Sequence, residues 1–305
     1  MKRISVVIPA HNAGRFLPEA LDSIFSQELE DFEVVVVDDG STDDTADVAR
    51  RYGRGVTLLR QRRAGSASAR NLGIRSTEGE LVAFLDADDL WVREKSRLQL
   101  RLLEEDGSLG LVFSDMVSFG PQREDGRSYF QERGFGGRCV PSSVFLTDMI
   151  STPTVIMRRR CLEAVGLFDE SLPIGQDTDL WFRVALSSPF GVVSRPLVRR
   201  RFHQGNVTRD SRLLARCVVE VWGRYLQRCI EREPEMEGRL RRDFARKRWE
   251  DFFQDGCGLL RERRWSEGRR ALRQAIGIRP LRPRPYAFYM ASLLGIAGGS
   301  AGGRP

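Results

Sequence analysis

Hydrophobic positions along the first hundred residues alternate between two periods. Apolar runs of strand length stand at Ile4–Ile8, Glu33–Val37, Val56–Leu59 and Leu81–Leu85. Between them, over about 15–27, 43–52 and 66–76, apolar residues recur at helical spacing. Strands that are apolar throughout are buried on both faces, and strands alternating with helices predict βαβ units. The expected fold class is therefore α/β, Rossmann-like, with a mostly parallel sheet and helices on both faces. In "DGSTDDT", Ser41 with Asp44 three residues on predicts a helix cap.

The pattern then loosens. Leu109–Phe113 and Met116–Phe119 read as two short strands, and 120–138, rich in Gly, charge and aromatics, as a long loop able to close over a ligand. A short helix is expected near 160–165, another from about Asp177 to Leu186, and two short strands near 190–202. From Ser211 helical spacing dominates, at 211–232, 236–253 and 266–277, interrupted by "EREPE" and "QDGCG". A helical hairpin of the TPR kind fits 250–278. Three stretches result: 1–205, a basic helical region at 206–285, and a short apolar segment with a flexible tail at 286–305.

Composition narrows the class. At 41% hydrophobic and 30% charged the chain reads as a soluble globular protein. The apolar stretch after the basic start is too short for a signal peptide, and no run reaches the roughly 20 apolar residues of a membrane span. The five cysteines (139, 161, 217, 229 and 257) form no CxxC pair, which fits reduced cytosolic thiols. Charge is uneven: residues 1–205 hold 27 Lys+Arg against 30 Asp+Glu, whereas 206–305 hold 22 against 12. A basic tail without a nucleic-acid module or interleaved aromatics points away from nucleic acid and toward an anionic membrane surface or a partner lying on one.

Candidate chemistry stands just after the strands. The first ends in "PAHN" (Pro9–Asn12), the second in "DDGS" (Asp38–Ser41), the fourth in "DADD" (Asp86–Asp89). Ligands of open α/β sheets bind outside the carboxyl ends of strands, so three polar clusters would meet on one rim. Charged carboxylates crowded at a strand end repel one another unless a cation is held there. Oxygen ligands with open positions suit Mg²⁺ or Mn²⁺, completed by water and phosphate. The alternative is that Asp88 or Asp89 caps a helix at about 92–105.

The motifs "ISVVIPAHN", "VVVVDDGSTDDT", "GSASARNLGI", "GELVAFLDADDLW" and "QDTDLWFRVA", in this order, resemble those of family 2-type glycosyltransferases, over about residues 3–205. The resemblance implies a GT-A-type fold and an inverting transfer from a nucleoside-diphosphate sugar, UDP-linked by family habit. Pro9, His11, Asn12 and Asp39 would hold base and ribose, with His11 replacing a more frequent Tyr or Thr. Arg70 would touch base or phosphate, and Asp86 would lie nearer the ribose. Asp88 and His203 would face Mn²⁺ or Mg²⁺. Asp177 would be the general base, in a "QD" pair instead of the usual "ED"; as a helix N-cap it would also stay ionised. The acceptor would be a glycan or lipid-linked glycan in cell-surface polysaccharide or lipopolysaccharide assembly, and the enzyme cytoplasmic or peripheral on the inner membrane face. A nucleotidyltransferase would need a Gly-rich basic loop after the first strand, which "PAHNAGRF" lacks. A silent sugar-nucleotide-binding scaffold would be expected to lack Asp88 or Asp177, and both are present.

Overall fold

The structure, a computed structural model, describes residues 3–29, 31–120, 127–133, 135, 150–203, 211–232 and 234–295. The chain divides into two compact units, Met1–Asn206 and Val207–Pro305.

Unit 1 is built on β1 (Ile4–Ala10), α1 (Leu17–Phe25), β2 (Phe32–Asp39), α2 (Thr45–Arg51), β3 (Thr57–Gln61), α3 (Ser66–Arg75) and β4 (Leu81–Phe84). There follow β5 (Leu90–Trp91), α4 (Lys95–Glu105), β6 (Leu111–Phe119), α5 (Tyr129–Arg133), β7 (Ile156–Arg158), α6 (Arg159–Val165), α7 (Gln176–Ala185) and β8 (Phe190–Arg201). One sheet takes all eight strands in the order β3-β2-β1-β4-β7-β6-β8-β5, with β7 and β5 antiparallel to their neighbours. β1 leads outward to β2 and β3, and the chain then returns to place β4 on the other side of β1. That reversal opens a crevice at the carboxyl ends of β1 and β4.

The apolar strands are buried because both faces are covered. Ile4, Val6 and Ile8 of β1 pack under α1 and α2, with Leu17, Leu21, Ile24 and Val48. Val7, one residue out of phase, joins Val82, Phe84, Ile74 of α3, and Leu180 and Trp181 of α7 on the opposite face. This is the doubly covered α/β sheet that the apolar runs predict.

Several local expectations are corrected. The two strands at 109–119 are one, β6, and the two near 190–202 are one, β8, because a bulge absorbs the break. Ser114 pairs with Val193, Asp115 with Pro196 and Met116 with Val198. The buried Asp115 carboxylate accepts the Met116 and Phe130 amides at 2.8 and 3.0 Å, satisfying backbone that the bulge frees. Ser41 caps no helix. Asp43 accepts the Thr45 amide at the start of α2, while Ser41 Oγ accepts the Asn12 amide at 2.9 Å. Neither Asp88 nor Asp89 caps α4, which starts at Lys95 behind Glu94, with β5 between.

Unit 2 comprises α8 (Ser211–Arg232), α9 (Glu237–Arg261), α10 (Trp265–Ile278) and α11 (Pro283–Leu293). "QDGCG" does not break α9, because its glycine serves packing between helices. A Cβ on Gly256 would stand 2.7 Å from Leu272 Cγ, and one on Gly268 would stand 2.7 Å from Leu260 Cδ2. α9 and α10 therefore cross at close range as a helical hairpin. α11 starts at Pro283, where the missing N–H costs nothing. It packs Phe288 and Tyr289 on Phe253, Leu272 and Ala275, so the chain at 283–293 is continuous with the helical region. Cys161, Cys217, Cys229 and Cys257 are buried thiols, none of them in a disulfide. Cys139 and most of the loop at 120–138 lie outside the described residues, as do the last ten residues. No described helix is long and apolar enough to cross a membrane.

Candidate active site

Three polar groups line the carboxyl ends of β1, β2 and β4. At the first, the chain turns after Ala10 and Asn12 takes a positive φ of 50°. His11 Nδ1 lies 2.9 Å from the Asp39 carbonyl oxygen, and Asn12 Oδ1 accepts the Thr42 amide at 2.9 Å. These bonds tie the β1 loop to the β2 loop. Pro9 lies beyond Val7, the last β1 residue with a β4 partner, so on that side its missing N–H breaks no ladder. Asp38 and Asp39, adjacent in sequence, do different work. Asp38 is buried, and burial alone would raise its carboxyl. Hydrogen bonds from Ser41 and the Arg60 guanidinium, 2.8 Å away, nonetheless hold it below the ordinary value. Asp39 accepts Gln61 Nε2 at 2.8 Å and the Ala64 and Gly65 amides at 2.7 and 2.9 Å. It therefore fixes the entry to α3, the helix that carries Arg70.

The second group joins Arg70, Asp86 and Asp177. Arg70 Nη2 donates to Asp86 Oδ1 at 2.6 Å, and its guanidinium lies over the Phe168 ring, 5.5 Å from the centroid. Its Nε is buried with no hydrogen-bond partner. Asn71 holds Phe168 in place through both backbone groups, its amide donating to the Phe168 carbonyl at 2.9 Å and its Oδ1 accepting the Phe168 N–H at 3.0 Å. Asp177 is the second residue of α7, not its cap. The cap is Gly175, whose left-handed φ of 85° would strain any other residue and which swings Asp177 into the first turn. Asp177 Oδ2 accepts Thr152 Oγ1 at 3.2 Å, and Oδ1 accepts the Thr178 amide at 2.8 Å. Burial raises its carboxyl above the ordinary range, opposed by the Arg70 charge, the Thr178 amide and Thr152 and assisted by Asp86.

The third group forms where β5 pairs with β8, Leu90 opposite Arg199, which brings the end of β8 against the acidic turn. His203 Nε2 lies 2.9 Å from Asp88 Oδ2, and the ring packs on Phe16 with centroids 4.8 Å apart. Asp89 is fully buried and accepts the Arg201 amide at 2.8 Å, while Arg201 Nε donates to the Asp88 carbonyl at 3.0 Å. Burial and the neighbouring Asp86 raise the Asp88 carboxyl, with His203 opposing. Burial, Asp88 and Asp86 raise Asp89 strongly.

A divalent cation fits this donor set. Asp88 and His203 stand side by side, Nε2 2.9 Å from Oδ2, and could both turn to an ion, while the neighbouring Asp86 adds charge that favours one. Among the described residues no group of three or more acidic, His or Cys side chains forms a cage, so other positions would fall to substrate and water.

Apart from Pro9, the sequence-expected residues find partners from another element: His11 with Asp39, Asn12 with the β2 loop, Asp39 with Gln61 and the α3 entry, Arg70 with Asp86 and, by charge, Asp177, and Asp88 with His203. Sequence reasoning missed the support beneath them. The short 3₁₀ turn Thr152–Thr154 presents Thr152 to Asp177 and is pinned from behind. Trp91 Nε1 donates to the Pro153 carbonyl at 3.0 Å and Gln99 Nε2 to the Thr154 carbonyl at 2.8 Å. Gln99 in a helix pattern carries no signal of this; Trp91, two residues after the strand-end acids, offered a weak one.

Comparisons with known proteins bear on the family and the fold. An uncharacterized glycosyltransferase of Rickettsia bellii is 32% identical over 210 residues, 68% of this chain but 30% of its own length. Glycosyltransferase GlyG of Streptococcus pneumoniae is 30% identical over 135 residues, 43% of this chain and 44% of its own. The chain thus spans about a third of the first of these relatives and under half of the second. Among solved structures, S. aureus TarS in complex with UDP-GlcNAc superposes with a TM-score of 0.66 at 20% identity, covering 97% of this chain and 88% of that one. A mannosyltransferase of Pyrobaculum calidifontis, in complex with GDP-Man and Mn²⁺, gives 0.63 at 20% identity, covering 97% and 85%. The fold is accordingly of the GT-A type. With the sequence model of glycosyl transferase family 2 matching residues 5–166, more than half its length, the chain belongs to that family.

Proposed function

We propose that the protein is an inverting, metal-dependent glycosyltransferase that moves a sugar from a nucleoside-diphosphate sugar, UDP-linked, to a hydroxyl of a glycan or lipid-linked glycan. The observation that carries the reading is the convergence of Asp177, Arg70 and Asp86 beside the Asp88–His203 pair. On this reading Asp177 is the base, with the buried Arg70 cation and the Asp88–His203 pair as candidate metal donors beside it. TarS with UDP-GlcNAc and the Pyrobaculum enzyme with GDP-Man and Mn²⁺ support nucleotide-sugar binding on this fold.

The residues divide the work. Pro9, His11, Asn12 and Asp39 cradle base and ribose; Asp39 already accepts three bonds, which leaves about one of its four lone-pair sites for a base N–H. Asp88 and His203 would hold Mn²⁺ or Mg²⁺, which when bound neutralises charge on the departing diphosphate. Arg70 faces the same charge from a rigid seat. Asp177 accepts the acceptor hydroxyl's proton as its oxygen bonds to the anomeric carbon and the carbon–oxygen bond to the diphosphate breaks. One displacement with one base inverts the anomeric configuration. The setting this reading favours is cell-surface polysaccharide or lipopolysaccharide assembly, at the inner face of the cell membrane.

Calorimetric titration of UDP, GDP and dTDP, with and without Mn²⁺, into the wild type and Asp88→Ala tests the donor site. Metal-dependent binding of one nucleotide, lost in the variant, is expected. Absence of binding by all three would overturn the reading.

A further inference from the structure

The side of α11 turned to solvent is apolar. Its inner side is anchored by Phe288 and Tyr289 in the unit 2 core and by Arg269 Nη1 donating to the Ser292 carbonyl at 3.3 Å. On the outer side Tyr286, Met290, Leu293 and Leu294 follow at i, i+4, i+7 and i+8, one stripe of a helix, with exposures of 42%, 59%, 55% and 76%. A solvent face normally carries charge. Here, from Pro285 to Gly295, there is no Asp, Glu, Lys, Arg or His.

The chain around the stripe is uniformly cationic. After Glu267 the sequence has seven arginines and no acid. Arg279, Arg282 and Arg284 lead into α11, beside Leu281, which is 96% exposed. Among the described residues none of these three has a carboxylate partner. A second copy on this face would set arginines against arginines, a costly juxtaposition. A surface of anionic phosphates over acyl chains satisfies both the stripe and the collar, and a helix with an apolar side, an Arg collar and Tyr at its margin lies in that interface.

We propose that α11 seats the protein in the interface of an anionic lipid bilayer, with Tyr286, Met290, Leu293 and Leu294 toward the acyl chains and Arg279, Arg282 and Arg284 on lipid phosphates. This deepens, and rests on, the reading of the protein as an enzyme of the membrane surface.

Flotation of the full chain with phosphatidylcholine vesicles, and with vesicles also containing phosphatidylglycerol, tests it. The wild type is expected to float with the anionic vesicles and to be released by salt. Arg282→Gln with Arg284→Gln is expected to lower partitioning about tenfold or more. Met290→Ser with Leu294→Ser is expected to abolish it while leaving the circular-dichroism melt unchanged, since both positions are exposed. If the wild type floats and both double variants float equally well, other basic helices hold the membrane and α11 does not. If the wild type does not float, the membrane-surface reading fails with it. A dimer in sedimentation that Met290→Ser with Leu294→Ser dissolves would assign the stripe to a second copy and overturn the proposal.

Discussion

Two opposing influences act on Asp177: burial favours its neutral form, while Thr152, the Thr178 amide and the Arg70 charge favour the carboxylate. A base must be ionised to accept a proton, so turnover is expected to rise with pH through a value above the ordinary carboxylate range. Asp177→Asn should lower kcat by about 10²- to 10⁴-fold and leave nucleotide binding intact. Thr152→Val, which removes a donor to the charged form, should move the acidic limb of the kcat profile to higher pH, where a purely structural role would lower kcat at every pH alike. Lys95 poses the opposite problem. It is fully buried on α4, its Nζ 4.1 Å from the Trp91 ring centroid, without a hydrogen-bond partner. Burial drives its amine well below the ordinary 10.5. Between the depressed value and 10.5 the unfolded chain binds more protons than the folded one, so this residue makes stability rise with pH across that window. Lys95→Met should flatten that slope and stabilise the protein by about 1–3 kcal/mol at neutral pH, read from urea unfolding at several pH values. An unchanged slope would mean that the amine is charged and satisfied in the fold.

Among the elements, the α9–α10 crossing depends on a small side chain at Gly256. Gly256→Ala should gain about 0.5–1 kcal/mol of helix propensity. However, the new methyl meets Leu272, which is fully buried and has no room to swing aside, and overpacking of this kind costs about 1–3 kcal/mol. The net expectation is a lower melting temperature for Gly256→Ala, and a much lower one for Gly256→Val, by calorimetry; a higher one for Ala would show that the crossing can relax. The same glycine explains a misreading. From sequence alone "QDGCG" is a breaker, because nothing local says that another helix will come within contact distance. β6 and β8 were read as broken for a related reason: a bulge interrupts hydrophobic alternation without interrupting the strand. By contrast β1, β2 and β4 were legible at once, since a strand covered on both faces is apolar over most of its length. The strand-end acids were legible because carboxylates crowded after a buried strand repel one another unless something nearby compensates them. What positions Asp177 was not: Trp91 and Gln99 come from one stretch and Thr152 from another far along the chain, and only the fold brings them to Asp177.

Taken whole, the chain separates its charge. Residues 1–205, with the carboxylate-lined rim, carry −3 from 27 basic and 30 acidic residues, whereas 206–305 carry +10 from 22 and 12. Folding does not require such a division, since mixed surface charge serves solubility equally well. It would suit the proposed transferase, whose basic part would meet an anionic surface while its acidic rim would bind metal and diphosphate. The division can be tested by kinetics. With a lipid-linked acceptor in anionic vesicles, turnover at subsaturating acceptor should fall steeply as salt rises, because attraction to the surface fades when the Debye length shrinks from about 10 Å at 0.1 M to about 3 Å at 1 M. With a short water-soluble glycan acceptor the same salt range should leave turnover nearly flat, since the Asp88–His203 pair and Asp177 are part-buried and less screened. Equal salt dependence with both acceptors would place the sensitivity in the donor site, and would remove the reason to assign the basic unit to a surface.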